Sequence, residues 1–498
     1  MGSHHWTLCA LIAFISLPTL SSSCRSDIEG TPGPNAPPET FTVVDTIIRQ
    51  DQERFSSLVT LRWWGSDPDG TIRGFEIQDQ ETGDWVFTEA TDSLIQILIP
   101  RGESFFDYRF RVRAVDNDEA RDPSPAALLV PVKNTPPTME VTIAGNSDTR
   151  PTHTMPIIKY NMRAEDLDGE ANLKQLEIVF QDTTRTPYVI PPGVTSVTLV
   201  ATNAQADSTD FRVLLGNAEE EAGELLPGVR LNQEVQLFAR SLDLTDTSSA
   251  WDSTSSIFVR KQEGRLLLVN DYPTQATIRN QDNFYGQQIG SALQQTSLDT
   301  FDLLHVSPFL VGNETRRELP RDRQVLSRIF NLYDGIIWYA NNDTALLSIR
   351  SSTNSFFEAG KKFFFVSPFG LTAGAREGSF DFTPIDSLLD LRRIDTVSQL
   401  LLTRDGGLIP ADARFPELKT TGFINVRPFY SSIGRTLYEG TLVEQDSDPW
   451  AGVSTLMSIE TGRNGSKFGI CAVDLSRMNA NQQISNFFGI LLRDEFSF

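Results

Sequence analysis

Cysteine is nearly absent from this chain. There are three in 498 residues, and two of them, Cys9 and Cys24, fall within the first 24 positions. Only Cys471 is left for the body of the protein, so no disulfide can form there and each domain must rest on a hydrophobic core. Histidine is as scarce, at four, with His4 and His5 at the extreme N-terminus. His153, His305 and Cys471 are too few for a structural zinc site. Basic charge is short too: 43 Lys+Arg face 65 Asp+Glu, a net charge of −22, and lysine supplies only eight of the 43. That balance argues against nucleic acid as a partner and against direct adsorption on anionic lipid. Beyond the N-terminus no apolar run reaches the ~18 residues of a transmembrane helix. Nor is there a complete set of catalytic residues in a recognisable spacing.

The N-terminal run Leu8-Cys-Ala-Leu-Ile-Ala-Phe-Ile-Ser-Leu17 is about ten residues, too short to span a bilayer and suited to a signal-peptide core. Ser21-Ser22-Ser23-Cys24 follows it. This ending resembles a bacterial lipobox, which implies removal of residues 1–23, lipidation of Cys24 and attachment at the cell envelope, on the outer membrane. It departs from the usual motif at Ser21, where Leu is common, and the segment carries no Lys or Arg before the apolar run. Cleavage by ordinary signal peptidase after Ser23 stays open, giving a soluble secreted protein, as does a cytosolic chain with an unusual start. Residues 24–38 are polar and rich in Gly and Pro, and read as a tether without a core of its own.

Residues 39–133 read as all-β. Short alternating runs are separated by turn signals. In Tyr108-Arg-Phe-Arg-Val-Arg-Ala-Val115, apolar and arginine side chains take opposite faces. Trp63-Trp-Gly-Ser-Asp-Pro-Asp-Gly-Thr-Ile72 and Arg111-Val-Arg-Ala-Val-Asp-Asn-Asp-Glu119 resemble the fibronectin type III and immunoglobulin-like modules of bacterial surface proteins. The resemblance implies a fold and leaves function open. Asn134-Thr-Pro-Pro137 reads as a linker, and residues 138–261 as a second, longer copy. There Ala164-Glu-Asp-Leu-Asp-Gly-Glu170 and Leu237-Phe-Ala-Arg-Ser-Leu-Asp243 repeat the landmarks. The acidic turns raise two readings. Asp67, Asp69, Asp116 and Asp118, or Asp166, Asp168 and Asp243, could gather as calcium ligands. Alternatively Asp-x-Asp-Gly is a turn in which Asp accepts from backbone amides, the reading that needs no metal.

From residue 264 to 498 the pattern changes to continuous apolar strands alternating with helical segments. This predicts an α/β, three-layer domain with a mostly parallel sheet. "LLLVND" at 266–271, "YDGIIWYAN" at 333–341, "AGKKFFFVSPFG" at 359–370 and "KFGICAVDLSRMN" at 467–479 resemble the class I glutamine amidotransferase-like fold, a flavodoxin-like sandwich. In active members the turn that follows the strand of the third segment carries a nucleophilic cysteine between glycines. Here Ser367 stands in its place, followed by Pro368, and no histidine occurs after His305. The expectation is a catalytically inactive head that needs no cofactor. Cys471 reads as a core residue. The alternative is a hydrolase with Ser367 as nucleophile, His305 as base and Asp271 beside them, because carboxyl ends of parallel strands converge at one crevice. The whole then reads as a multidomain envelope protein. Two immunoglobulin-like sandwiches act as a stalk for a binding or scaffold head, tied to the membrane through its lipid anchor. Its partner is an envelope protein or glycan of unknown identity.

Overall fold

The computed structural model describes residues 33–44, 58–80, 83–146, 148–369, 380–390, 399–404, 406–445 and 448–498. The signal segment 1–23, Cys24 and the first part of the tether lie outside the described residues. The chain divides into two compact units, Met1–Ile97 with Asp107–Val132, and Leu98–Phe106 with Lys133–Phe498. Among the described residues no helix is long and apolar enough to cross a membrane.

The first unit holds seven strands: β1 (Glu39–Val44), β2 (Leu58–Ser66), β3 (Ile72–Asp79), β4 (Trp85–Thr88), β5 (Asp92–Gln96), β6 (Phe105–Asp116) and β7 (Ala126–Lys133). They form two sheets, β1-β2-β5 and β4-β3-β6-β7. Alternation decides which side chains meet between them. Trp63 on β2 is buried, packs 5.5 Å from the Phe110 ring on β6, and donates its indole N–H to Ala90 O at 2.8 Å. Its neighbour Trp64 points the other way, is 51% exposed and stacks on Phe41. On the outer face of β6, Arg113 lies over the Trp85 ring and bonds Glu76.

The second unit begins with another β-sandwich. Its strands are β8 (Thr138–Ile143), β9 (Ile157–Glu165), β10 (Leu173–Phe180), β11 (Tyr188–Ile190), β12 (Ser196–Ala201), β13 (Ser208–Leu215), β14 (Glu220–Arg230), β15 (Leu237–Asp243) and β16 (Asp252–Ser253). The sheets are β14-β13-β12-β9-β8 and β11-β10-β15-β16. They repeat the three-plus-four arrangement of the first sandwich, with the β13–β14 hairpin added at one edge. The extra length of this second copy is therefore partly sheet. Phe180 and Phe211 meet between the sheets at 5.3 Å.

The head is built on an eight-stranded sheet. In chain order its strands are β17 (Leu266–Asp271), β18 (Phe301–His305), β19 (Gly335–Ala340), β20 (Lys362–Val366), β21 (Leu408–Pro410), β22 (Arg435–Gly440), β23 (Thr455–Thr461) and β24 (Lys467–Cys471). Their spatial order is β18-β17-β19-β20-β24-β23-β22-β21. The first five run parallel and the last three join antiparallel. The expected mostly parallel sheet is thus parallel across five of its eight strands and antiparallel across the other three. The tight turn at 462–466 between β23 and β24 forces the reversal, with Gly465 at φ +81°.

Helix α1 (Gln275–Leu293) starts at Thr274 in a capping box with Thr277. Asp322 caps α2 (Arg323–Phe330) by accepting from Gln324 N and Val325 N. The remaining helices are α3 (Ala345–Ser352), α4 (Asn354–Glu358) and α5 (Ile484–Ile490). Successive strand residues point to opposite faces, and the ring contacts assign the layers. Tyr339 stacks on Tyr285 of α1, and Phe364 meets Phe487 of α5. Their neighbours Trp338 and Phe363 meet Phe330 of α2 and Phe356 of α4. Helices therefore cover both faces, and β17, β19 and β20 are buried almost throughout.

The second sandwich keeps a hydrophobic core of its own between its sheets, and an outer apolar face of it packs on the head. Met155, Ile157, Val200 and Leu214 of the sandwich belong to the same hydrophobic cluster as the head strands. Around that seam Lys159 pairs with Asp322 at 3.0 Å and Arg328 with Glu219 at 2.8 Å. Thr152 N and His153 N both donate to Arg317 O.

Candidate ligand-binding crevice

The parallel strands of the head place their carboxyl ends on one edge. From β17 the chain crosses to β18 on one side, and from β18 it crosses back to β19 on the other. Loops leaving β17 and β19 part at such a reversal and open a crevice. A cavity of about 530 Å³ lies there. Asp271 ends β17 inside it, Val306, Ser307 and Pro308 follow β18, and Trp338 comes from β19. Ser348, Ser351 and Ser352 on α3 form one side. Arg317, Arg321 and Arg323 enter from the connection into α2, and Asp148 and Thr149 from the sandwich stand at the rim.

Burial pushes the Asp271 carboxyl up to about 6, partly offset by the Trp338 indole N–H, which donates to its Oδ2 at 3.3 Å. Two further groups carry unmet hydrogen-bonding capacity. Arg317 Nε and Ser352 Oγ are buried without a partner among the described residues. Such groups cost stability unless something accepts from them.

The three residues of the hydrolase alternative do not come together. His305 pairs in register with Asn270, Asn270 with Tyr339, and Tyr339 with Val366. All four therefore share the α1 face. Ser367, one residue on, and Asp271, one residue past Asn270, turn to the opposite face. The sheet thus separates His305 from both. Three strand spacings, about 14 Å, add lateral distance between His305 and Ser367. His305 is committed elsewhere: Nδ1 meets Glu318 Oε2 at 2.8 Å and Nε2 meets Asp282 Oδ2 at 2.9 Å. Burial alone would lower its pKa, but the two carboxylates outweigh it and raise it to about 9. An imidazolium held between two acids is a structural cation, not a base. Ser367 is fully buried, with its hydroxyl donating to Pro368 O and its amide to Cys471 O. Cys471 is a core thiol, pushed up to about 12 by burial.

The acidic turns have backbone partners. Asp67 accepts from Asp69 N and Gly70 N. Asp69 accepts from Ala36 N, and Asp116 from Asn35 Nδ2, Asp118 N and Ala120 N. Asp118 contributes its backbone amide to Asp116. The second sandwich repeats the pattern. Asp166 accepts from Asp168 N, Asp168 from Thr135 N, and Asp243 from Asn134 Nδ2, Thr245 N and Thr247 N. Each Asn-x-Pro-Pro segment is thereby clamped to the acidic turns of its own sandwich. No group of three or more His, Cys, Asp or Glu among the described residues is arranged to hold a metal ion.

Sequence reasoning reaches Asp271 through the strand-end rule. It missed Trp338, the α3 serines and the three arginines. The only available signal for the arginines was their clustering just before a helix.

No protein-family model matches the chain, and no curated protein matches it. Among solved structures it is similar to the fibronectin(III)-like modules of Clostridium thermocellum CbhA, at 15% identity over 44% of this chain and 94% of that one, with a TM-score of 0.15. It is also similar to the two-domain fibronectin type III segment of chicken tenascin, at 11% identity over 45% and 99%, with a TM-score of 0.22. A third is the FN1–FN3 segment of chicken CNTN1, at 11% over 46% and 100%, with a TM-score of 0.16. The fold assignment rests on strand order: two sandwiches of the fibronectin III, immunoglobulin-like kind, the first pairing a three-stranded with a four-stranded sheet and the second a five-stranded with a four-stranded sheet.

Proposed function

We propose that this chain is an exported envelope protein, anchored by lipid at Cys24, whose β-sandwiches carry a non-catalytic head that binds a small ligand in its strand-end crevice. The parallel order β18-β17-β19-β20-β24 is the second-first-third-fourth-fifth order of flavodoxin-like sheets. It supports reading the head as a relative of the class I glutamine amidotransferase-like fold. The observation that carries the binding reading is the division of labour at the strand ends. The crevice gathers Asp271, Trp338, serines and arginines around an open cavity. Ser367, at the position of that family's nucleophile, is sealed against Pro368 and Cys471. Proline has no N–H, so this turn also lacks an amide where an acyl intermediate would need a donor.

The test uses the full chain. Thermal unfolding is measured against a panel of sugars, sugar acids, sugar phosphates and nucleotides, with ester and amide turnover and a serine-reactive probe in parallel. The expected result is a rise in Tm with one ligand class, no turnover and no adduct at Ser367. Turnover, an adduct on Ser367, or a panel without any Tm shift overturns the reading.

A further inference from the structure

We infer that the crevice takes a small hydroxyl-bearing anion, its carboxylate or phosphate seated on Arg317, Arg321 and Arg323 and its hydroxyls on Asp271 and Ser352. This rests on reading the crevice as a binding site and names the ligand class it selects.

The charge pattern is the first argument. The chain carries −22 overall, and an anion approaching most of its surface is repelled. Several other arginines of this unit are tied to carboxylates: Arg414 and Arg435 to Asp412 and Glu495, and Arg260 to Glu318. The three at the crevice have no carboxylate partner among the described residues. Two carboxylates line the same cavity, Asp148 at the rim and Asp271 within, so guanidinium groups outnumber them. A guanidinium presents a planar fork that matches carboxylate and phosphate oxygens.

Unmet hydrogen bonding is the second argument. Arg317 Nε is a buried donor with nothing to accept from it, and the fully buried Ser352 side chain is likewise without a partner. A ligand oxygen near the former and a ligand hydroxyl near the latter satisfy both. Asp271 sits on the Trp338 indole N–H with its other oxygen free to accept from a ligand hydroxyl. The cavity, about 530 Å³, suits a monosaccharide-sized molecule within the usual range of ligand pockets.

Isothermal titration of the full chain at low salt separates the possibilities, using glucuronate as the carboxylate probe, glucose 6-phosphate as the phosphate probe and glucose as the neutral control. The expected result is saturable 1:1 binding of at least one acid, with glucose about tenfold weaker or more. High salt weakens the acid but not glucose. Arg321→Gln/Arg323→Gln, both exposed, lowers acid affinity about tenfold or more with Tm unchanged. Asp271→Asn weakens the hydroxylated acids while leaving inorganic phosphate binding in place. Equal affinity for glucose, no binding of either acid, or an unaffected arginine double variant overturns the inference. A neutral ligand that raises Tm in the wider panel while both acids fail leaves the binding reading standing and removes only the anion.

Discussion

Asn134 Nδ2 donates to Asp243 Oδ2 at 2.6 Å, fastening the Asn-Thr-Pro-Pro segment to the end of β15. Asn35 makes the same 2.6 Å bond to Asp116 at the end of β6. In both sandwiches the residue after the asparagine donates its amide to the second aspartate of the Asp-x-Asp-Gly turn. The acidic landmarks that repeat along the sequence therefore organise the entry of the chain into each sandwich.

Removing one clamp should cost measurable stability. Asp243→Ala strips the acceptor from Asn134 and from the amides of Thr245 and Thr247. Hydrogen bonds to a charged group are worth about 1.5–3 kcal/mol. Urea unfolding of the full chain should report a loss of that order for the transition of the second unit, and none for that of the first. An unchanged midpoint would show that water replaces the carboxylate at no cost.

The His305 clamp predicts a pH dependence on the alkaline side. The folded pKa, about 9, lies above the ordinary value of 6.5, so the folded state binds the extra proton between them. This contribution is complete below pH 6.5 and disappears as pH rises through 9. Its size is on the order of 3 kcal/mol. Unfolding free energy should fall over that window in the native chain and be flat there in His305→Gln.

The two adjacent tryptophans should respond oppositely to truncation. Trp63 is 2% exposed and bonded to Ala90 O, whereas Trp64 is 51% exposed. Trp63→Ala should cost about 3–5 kcal/mol. Trp64→Ala should cost no more than about 1 kcal/mol, the worth of its stacking on Phe41. Equal losses from the two would mean that strand β2 is read in the wrong register.

The anchor is tested in cells. Cys24→Ala should move the protein from the membrane fraction to the soluble fraction, because multiple acyl chains hold stably where a polar tether cannot. Mass spectrometry of the native N-terminus should find the acyl groups. A variant that stays with the membrane, together with an unmodified native cysteine, removes lipidation from the account.

Much of the head was legible because buried parallel strands announce themselves. The segment 333–341, apolar through its middle, holds the buried strand Gly335–Ala340. The strands at 408–410, 435–440 and 455–461 were not read, since they are short or mixed in polarity and take their places from tertiary pairing. The fate of His305 was illegible for another reason. Its partners lie 13 and 23 residues away, on a loop and on α1, and nothing local marks them. The arginines of the crevice share that difficulty. Arg317 and Arg321 occupy a connection without periodicity and Arg323 opens α2, and only the strand order brings them opposite Asp271.

The hydrophobic seam around Met155, Ile157, Val200 and Leu214 has a consequence for heredity as well as for handling. A sandwich with its own closed interior can be duplicated, lost or traded between genes as a cassette. This one has its own interior but also turns an outer apolar face onto its neighbour, so a break near residue 262 would leave a raw apolar surface on each piece. Recombination should spare that junction, and a protease should find no stable head fragment to release there.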